Sequence, residues 1–326
     1  MFTPLIFYMV VQNIKSGKID ILGLGEIVID LLLKIPRFPS PDEKLYVLNS
    51  EKQAGGVTAN FCVGVARQGL RVAFIGAVGN DEEGTYLRKI LQKEGIHDSY
   101  LLTLESKVTP VNIVMVTKDG EKAILQSEHM RLTLPPAEFI TPEIVQNARH
   151  LHLTAINFET ALKTVKLAKE ANLTVSLDLE SQVVEEYLEE IPKLLKYVDL
   201  LLPNKGGAFA FTQIENNPQK ASLKLLDYGP KVIIMTLGVE GVLFTTGEDQ
   251  TLFPAFRVDN VIDTTGAGDA FNAGFITAFL NGFQLEESIK RGQATAALKI
   301  QGTGAQKPLP TTSQLEFFLD KRSGTA

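Results

Sequence analysis

The sequence predicts a doubly wound α/β fold on a mainly parallel sheet flanked by helices, with a smaller sheet in the amino-terminal half. Three observations carry this. After Pro142, strand-like and helix-like segments alternate; glycine-rich turns follow apolar runs; and nearer the amino terminus, short apolar runs flank a proline-rich turn. Alternating βαβ units make parallel strands with helices on both faces.

The run 19–24 is apolar and ends in Gly23-Leu24-Gly25, the pattern of a buried strand entering a turn. A second apolar run, 28–35, follows; Arg37-Phe38-Pro39-Ser40-Pro41-Asp42-Glu43 breaks it, and residues 45–48 alternate weakly ahead of Gly55-Gly56. These short strands predict the small sheet. Within 58–68, Phe61, Val65 and Ala66 recur at helical spacing and Gly69 terminates the helix. A strand over 72–78 and a helix over 83–94, stopped by Gly95, come next. Strands over 112–117 and 123–126 enclose Asp119-Gly120, a hairpin signal. Beyond Pro142 come a strand near Leu151, a helix over 160–170, a strand over 174–177, a helix over 185–195, and strands over 200–202 and 232–237. One large domain spans 19–315, after an extension of 1–18 in which Met9 offers an alternative start.

Of 326 residues, 44% are hydrophobic and 21% charged, which provides a large core and argues against bulk disorder. The net charge of −6 disfavours binding to nucleic acid and leaves small molecules as partners. The apolar start, 1–11, is too short to cross a bilayer and lacks a basic segment before it, so neither membrane insertion nor secretion is expected. Cys62, the single cysteine, reads as a buried inert thiol in a cytoplasmic, reducing setting. His150 and His152 share a strand face with no third metal ligand nearby in sequence, and Glu185, Glu186, Glu189 and Glu190 mark a solvated helix face.

The chemistry concentrates in Asp263-Thr264-Thr265-Gly266-Ala267-Gly268-Asp269-Ala270-Phe271, which ends the run 258–262 and opens a helix marked by Phe271, Phe275, Ala278 and Phe279. A helix start offers unpaired amides and the positive end of its dipole, so Gly266, Ala267 and Gly268 suit a transferring phosphoryl group. Asp269 stands where that dipole favours its ionised form, ready to accept a proton from an attacking hydroxyl. An isolated Gly-x-Gly-Asp reads more simply as a capped turn; the full nine-residue string favours the chemical reading. Gly23-Leu24-Gly25 lacks the third glycine of a dinucleotide fingerprint, and no Gly-x4-Gly-Lys-Ser/Thr occurs.

That nine-residue string resembles the carboxy-terminal signature of the ribokinase-like (PfkB-type) family of carbohydrate kinases. Gly55-Gly56-Val57-Thr58-Ala59-Asn60, with Gly76-Ala77-Val78-Gly79-Asn80-Asp81, resembles the amino-terminal one. The resemblance implies an ATP- and Mg²⁺-dependent kinase with Asp269 as catalytic base. It also implies a small β-sheet lid, expected over 35–56 and 108–130, which closes over a sugar and pairs lids in a homodimer. By the same resemblance, Asp30, Gly55, Gly56 and Asn60 bind substrate, while Asn204, Thr236, Gly238, Gly241 and Gln293 serve the nucleotide. Asp263, Thr265, Gly302 and Gly304 would supply oxygens to a monovalent cation such as K⁺.

The departures narrow the substrate. Relatives carry Glu where Asn204-Lys205-Gly206-Gly207 has Gly207, so Mg²⁺ handling is expected to differ. Val57 and Val28 replace the Lys and Asn of ribokinases, so fructokinase, ketohexokinase and 2-keto-3-deoxygluconate kinase members are more similar, with a ketohexose or keto-sugar acid as acceptor. A nucleoside kinase, a phosphosugar kinase using Arg37 or Arg131, and a catalytically silent sugar or nucleotide sensor remain as alternatives.

Overall fold

The computed structural model describes residues 18–154 and 157–323; the expected extension up to residue 17, with Met9, lies outside them. The chain begins with strand β1 (Ile19–Leu24), β2 (Val28–Lys34), β3 (Asn49–Gly55), helix α1 (Val57–Arg67), β4 (Val72–Gly79) and α2 (Glu82–Lys93). Strands β5 (Leu101–Leu104), β6 (Val111–Val116) and β7 (Lys122–Leu125) come next, then two single-turn helices, α3 (His129–Leu132) and α4 (Pro142–Val145). The alternating half contains β8 (Ala148–Thr154), α5 (Phe158–Glu170), β9 (Thr174–Leu179), α6 (Ser181–Tyr187), α7 (Ile191–Leu195) and β10 (Leu200–Pro203). It continues with α8 (Lys205–Thr212), α9 (Pro218–Leu226), β11 (Val232–Thr236), β12 (Val242–Thr245), β13 (Gln250–Phe253), α10 (Ala267–Leu280), α11 (Leu285–Lys299) and α12 (Thr312–Ser323).

Nine strands form one sheet in the order β13-β12-β11-β10-β9-β8-β1-β4-β5, parallel except where β12 pairs antiparallel with β11 and β13. The doubly wound prediction is therefore correct. Strand order runs one way from β1 through β4 and the other way from β8 through β9, so the topological switch point lies where β1 and β8 pair. Gly25 and Glu26 leave β1 at that point, and Thr154 ends β8 beside them.

Helix α10 is buried from Asp269 through Leu280 and is apolar all round, as a helix between layers must be. Phe271, Phe275 and Phe279, spaced one turn apart, stack with ring centroids 6.0 and 6.4 Å apart. Each fully buried ring contributes roughly 1.5–3 kcal/mol. Their contacts fix the helix, and with it the position of its first turn.

The small sheet has the order β3-β2-β6-β7, with β2 and β6 parallel and the outer pairs antiparallel. It takes in all of β2 from Val28, earlier than the span 35–56 expected from the turn residues. Strand β3 falls after the weakly alternating 45–48, whose Tyr46 is 92% exposed. Its polar sequence hid it, because backbone pairing to β2 rather than burial specifies it. The expected helix over 185–195 is two helices, since Pro192 lacks an amide donor and sits in the first turn of α7. The run 258–262 forms no strand; Val261 and Ile262 are about half exposed.

Candidate active site

The glycine-rich loop is held by its own first aspartate. Asp263 accepts bonds from the Thr265 amide (2.9 Å) and hydroxyl (2.7 Å) on one carboxylate oxygen, and from the Gly304 amide (2.8 Å) on the other. Gly266 takes φ 76°, a left-handed conformation that glycine adopts without strain, and this turns the chain into α10. A side chain added at Gly268 would meet nothing within 4 Å, so the loop backbone is open to an approaching group.

Asp269 is the third residue of α10, and its carboxylate accepts a 2.7 Å bond from the Asn60 side-chain amide. Asn60 in turn accepts a 3.0 Å bond from Gln306, so helix α1 and the segment after α11 fix the Asp269 carboxylate from two sides. Burial raises the Asp269 pKa to about 8, reinforced by Glu180 and Glu26 and opposed by Asn60 and Lys299. The expectation that the helix dipole keeps it ionised is corrected here. Desolvation and two neighbouring carboxylates outweigh a dipole contribution of about 1 kcal/mol.

Three acidic residues near Asp269 were not singled out from the sequence. Asp178 and Glu180 stand at the carboxyl end of β9, just past the strand as it was read, and line the same cleft as Asp269. Burial, Glu180, Asp269 and Glu26 all raise the Asp178 pKa, although Asn272 donates to it at 2.8 Å; burial raises that of Glu180 as well. Glu26 accepts bonds from the Val57 amide (2.6 Å) and the Thr154 hydroxyl (3.0 Å), and burial lifts its pKa to about 7. The only signal in the sequence was position, at strand ends on the ligand-binding edge of the sheet.

The cleft, of about 470 Å³, is lined by Asn204, Thr236, Gly238, the Gly266-Ala267-Gly268 turn, Asp269 and the β9 acids. Asn204 caps α8 by accepting from the Gly207 amide at 2.7 Å. A side chain at Gly207 would begin 2.0 Å from the Leu179 carbonyl oxygen, so the position has no room for the Glu of relatives. Gly241 and Gln293 are not among the residues lining this cleft. Gly241 (φ 109°) packs against the end of β13, where Gln293 donates to the Phe253 and Pro254 carbonyls at 3.0 Å.

Asp30, on β2, accepts a 3.2 Å bond from Asn112 of β6, and burial raises its pKa, with Asn112 and Lys122 opposing. Gly55 lies directly against the Asp30 carboxylate, and Gly56 (φ 98°) against the Glu26 carbonyl, so neither tolerates a side chain. From β7, Lys122 donates to the Thr265 hydroxyl at 2.7 Å and so joins the small sheet to the glycine-rich loop. Gly304 reaches the same loop through its amide, as does Lys299, which is 0% exposed and donates to the Asp263 carbonyl at 2.7 Å; Gly302 instead packs against Pro308. Burial lowers the Lys299 pKa to about 8, opposed by Asp263 and Asp269.

Other sequence candidates have structural partners. His150 bonds Thr174 and Ser176 at 2.7 Å, and His152 bonds Ser176 at 2.8 Å and stacks on Phe61. Burial lowers the pKa of both histidines and raises that of Cys62. Arg37 pairs with Glu43 in the exposed loop after β2. The Arg131 side chain lies outside what the structure describes. Among the described residues no helix is long and apolar enough to cross a membrane.

Comparison with known proteins places this geometry. The family model described as pfkB family carbohydrate kinase matches residues 18–312. A ribokinase from Haemophilus influenzae is 30% identical over 306 residues, covering 91% of this chain and 97% of the relative. The crystal structure of a nucleoside kinase from Methanocaldococcus jannaschii aligns with a TM-score of 0.81 at 26% identity, covering 94% of this chain and all of that one. That of a ribokinase from Thermotoga maritima gives 0.81 at 29%, covering 93% and 99%. With both glycine signatures and the whole nine-stranded sheet inside the matched span, the chain belongs to the pfkB family of carbohydrate kinases.

Proposed function

We propose that the protein transfers the γ-phosphoryl group of ATP to a hydroxyl of a small carbohydrate, with Asp269 as general base. The observation that carries this is the first turn of α10. Open loop amides and a buried carboxylate lie within one cleft, and the carboxylate's pKa of about 8 suits a base working near neutral pH. Asp269 takes the proton of the attacking hydroxyl while Asn60 holds its carboxylate in place. The amides of Gly266 and Gly268 receive the charge that develops on the phosphoryl oxygens, the Ala267 amide being bonded to the Thr264 carbonyl at 3.1 Å. Asn204, Thr236 and Gly238 line the part of the cleft assigned to the nucleotide.

Mg²⁺ neutralises phosphate charge when bound with ATP. The donor set suits it, because Asp178 and Glu180 are carboxylates whose ionised forms are disfavoured until a cation arrives. They stand in for the Glu that Gly207 excludes.

The acceptor we favour is a ketohexose or keto-sugar acid. Val28 is 1% exposed, and Val57 presents its backbone amide to Glu26, so neither position supplies a polar side chain to ribose. The hydroxyl-binding groups left are Asp30, Asn60 and Asn112. A nucleoside is the second reading, favoured by the structural likeness to a nucleoside kinase. ADP release measured over ketohexoses, 2-keto-3-deoxy acids, ribose, nucleosides and their phosphates tests the reading. Turnover with none of them, or turnover unchanged in Asp269→Asn, would sink it. A homodimer through the small sheet is supported by the exposed Leu48, Val111, Ile124 and Leu125. Sedimentation at micromolar concentration checks it, and a monomer refutes it.

A further inference from the structure

Asp263, Thr265, Gly302 and Gly304 are where family resemblance puts a monovalent cation, but the Asp263 oxygens are already engaged by protein donors. Both Asp263 carboxylate oxygens accept from protein donors at 2.7–2.9 Å. The Asp263 carbonyl, a further oxygen such an ion would use, accepts instead from the Lys299 ammonium at 2.7 Å. Lys299 is the last residue of α11, where a lysine commonly points its charge into solvent beyond the helix end. Here it is 0% exposed, turned inward beneath the loop. Burying an ammonium costs several kcal/mol unless it is paired and hydrogen-bonded, so its retention calls for a local partner of opposite charge. The Asp263 carboxylate, which its hydrogen bonds keep ionised, meets that need electrostatically.

We infer that the Lys299 ammonium is a built-in replacement for the monovalent cation: it braces the loop through the Asp263 carbonyl and supplies a tethered positive charge behind the phosphoryl-binding amides. Lys299 is then a positioning residue, and the protein needs no K⁺. An ammonium and a potassium ion carry the same charge, and both satisfy carbonyl oxygens. The covalent version acts without a binding equilibrium and so without dependence on salt composition.

The inference rests on the kinase reading for its catalytic consequence, but its structural half can be tested without any substrate. The melting temperature of the ligand-free protein is measured while K⁺ replaces tetramethylammonium at constant ionic strength. The wild type is expected to show no saturable shift, whereas Lys299→Met gains one as K⁺ enters the vacated position. With an acceptor sugar in hand, wild-type turnover in the two salts is expected to agree within about twofold. Lys299→Met is expected to lose about tenfold or more in kcat in tetramethylammonium and to recover most of it in K⁺ or NH₄⁺. A saturable K⁺ shift in the wild type, severalfold K⁺ activation of the wild type, or full salt-independent turnover of Lys299→Met would each overturn the assignment. If Lys299→Met fails to fold, the wild-type titrations decide alone. If no sugar is phosphorylated in any salt, the kinase reading fails while the ligand-free measurement still judges Lys299.

Discussion

Replacing Asp269 by Asn removes the proposed base and also relieves a cost that the fold bears at working pH. The carboxyl titrates near 3.8 in the unfolded chain and near 8 when buried against Glu180 and Glu26. Between those values the folded protein retains a proton that the unfolded chain has lost. Wild-type stability therefore falls by about 1.4 kcal/mol per pH unit through that window and levels off above the folded value. From about pH 6 to about pH 9 the wild type should lose on the order of 2–3 kcal/mol relative to Asp269→Asn, whose neutral amide does not titrate. The variant keeps the contact with Asn60, because its carbonyl oxygen can accept the same 2.7 Å bond. For a chain of this size the gap corresponds to a melting-temperature difference that widens by roughly 5 °C or more across the range. Thermal denaturation of the two ligand-free proteins at several pH values reads it directly. A difference that stays constant or shrinks as pH rises would mean that the carboxylate is already ionised in the folded state, and the argument for its burial would fail.

The same titration governs rate. For the wild type, kcat/KM is expected to rise with pH along an acidic limb centred near 8, since only the ionised Asp269 accepts a proton; a flat profile down to about pH 6 counts against it. Asn60→Ala removes the bond that favours the ionised form, so that limb should move to higher pH and kcat/KM near neutrality should fall about 10- to 100-fold. An unshifted limb would show that Asn60 does not tune the base. Gly207→Ala drives a methyl to 2.0 Å from the Leu179 carbonyl and should cost about 2–4 kcal/mol in urea unfolding, whereas an isoenergetic variant would mean that the start of α8 can move away from β9.

The site was legible where the residues that act together are also neighbours in the chain. The nine-residue string from Asp263 to Phe271 contains the turn, the open amides and the proposed base in one stretch, so periodicity and glycine placement were enough to single it out. Asp178, Glu180 and Lys299 were invisible for the opposite reason. Two carboxylates after a strand and a lysine at a helix end look like ordinary solvated termini until packing buries them against α10. The parallel sheet showed through its dense apolar runs. The hairpin of β12 and β13 was missed because it begins so soon after the recognised strand β11. Strand β3 was misplaced because its residues are polar and its pairing is a property of the backbone.

Asn60 has a consequence for how the protein comes into being. Its bonds to Asp269 and Gln306 connect positions 209 and 246 residues away along the chain. Contacts this distant form only after the intervening polypeptide has been made and folded. A ribosome-bound chain lacking its last α/β segments can already hold β1, β4 and α1, yet it lacks Asp269, the proposed proton acceptor, and the Gln306 contact. On the proposed mechanism the growing protein thus cannot transfer a phosphoryl group until the far end of the chain arrives.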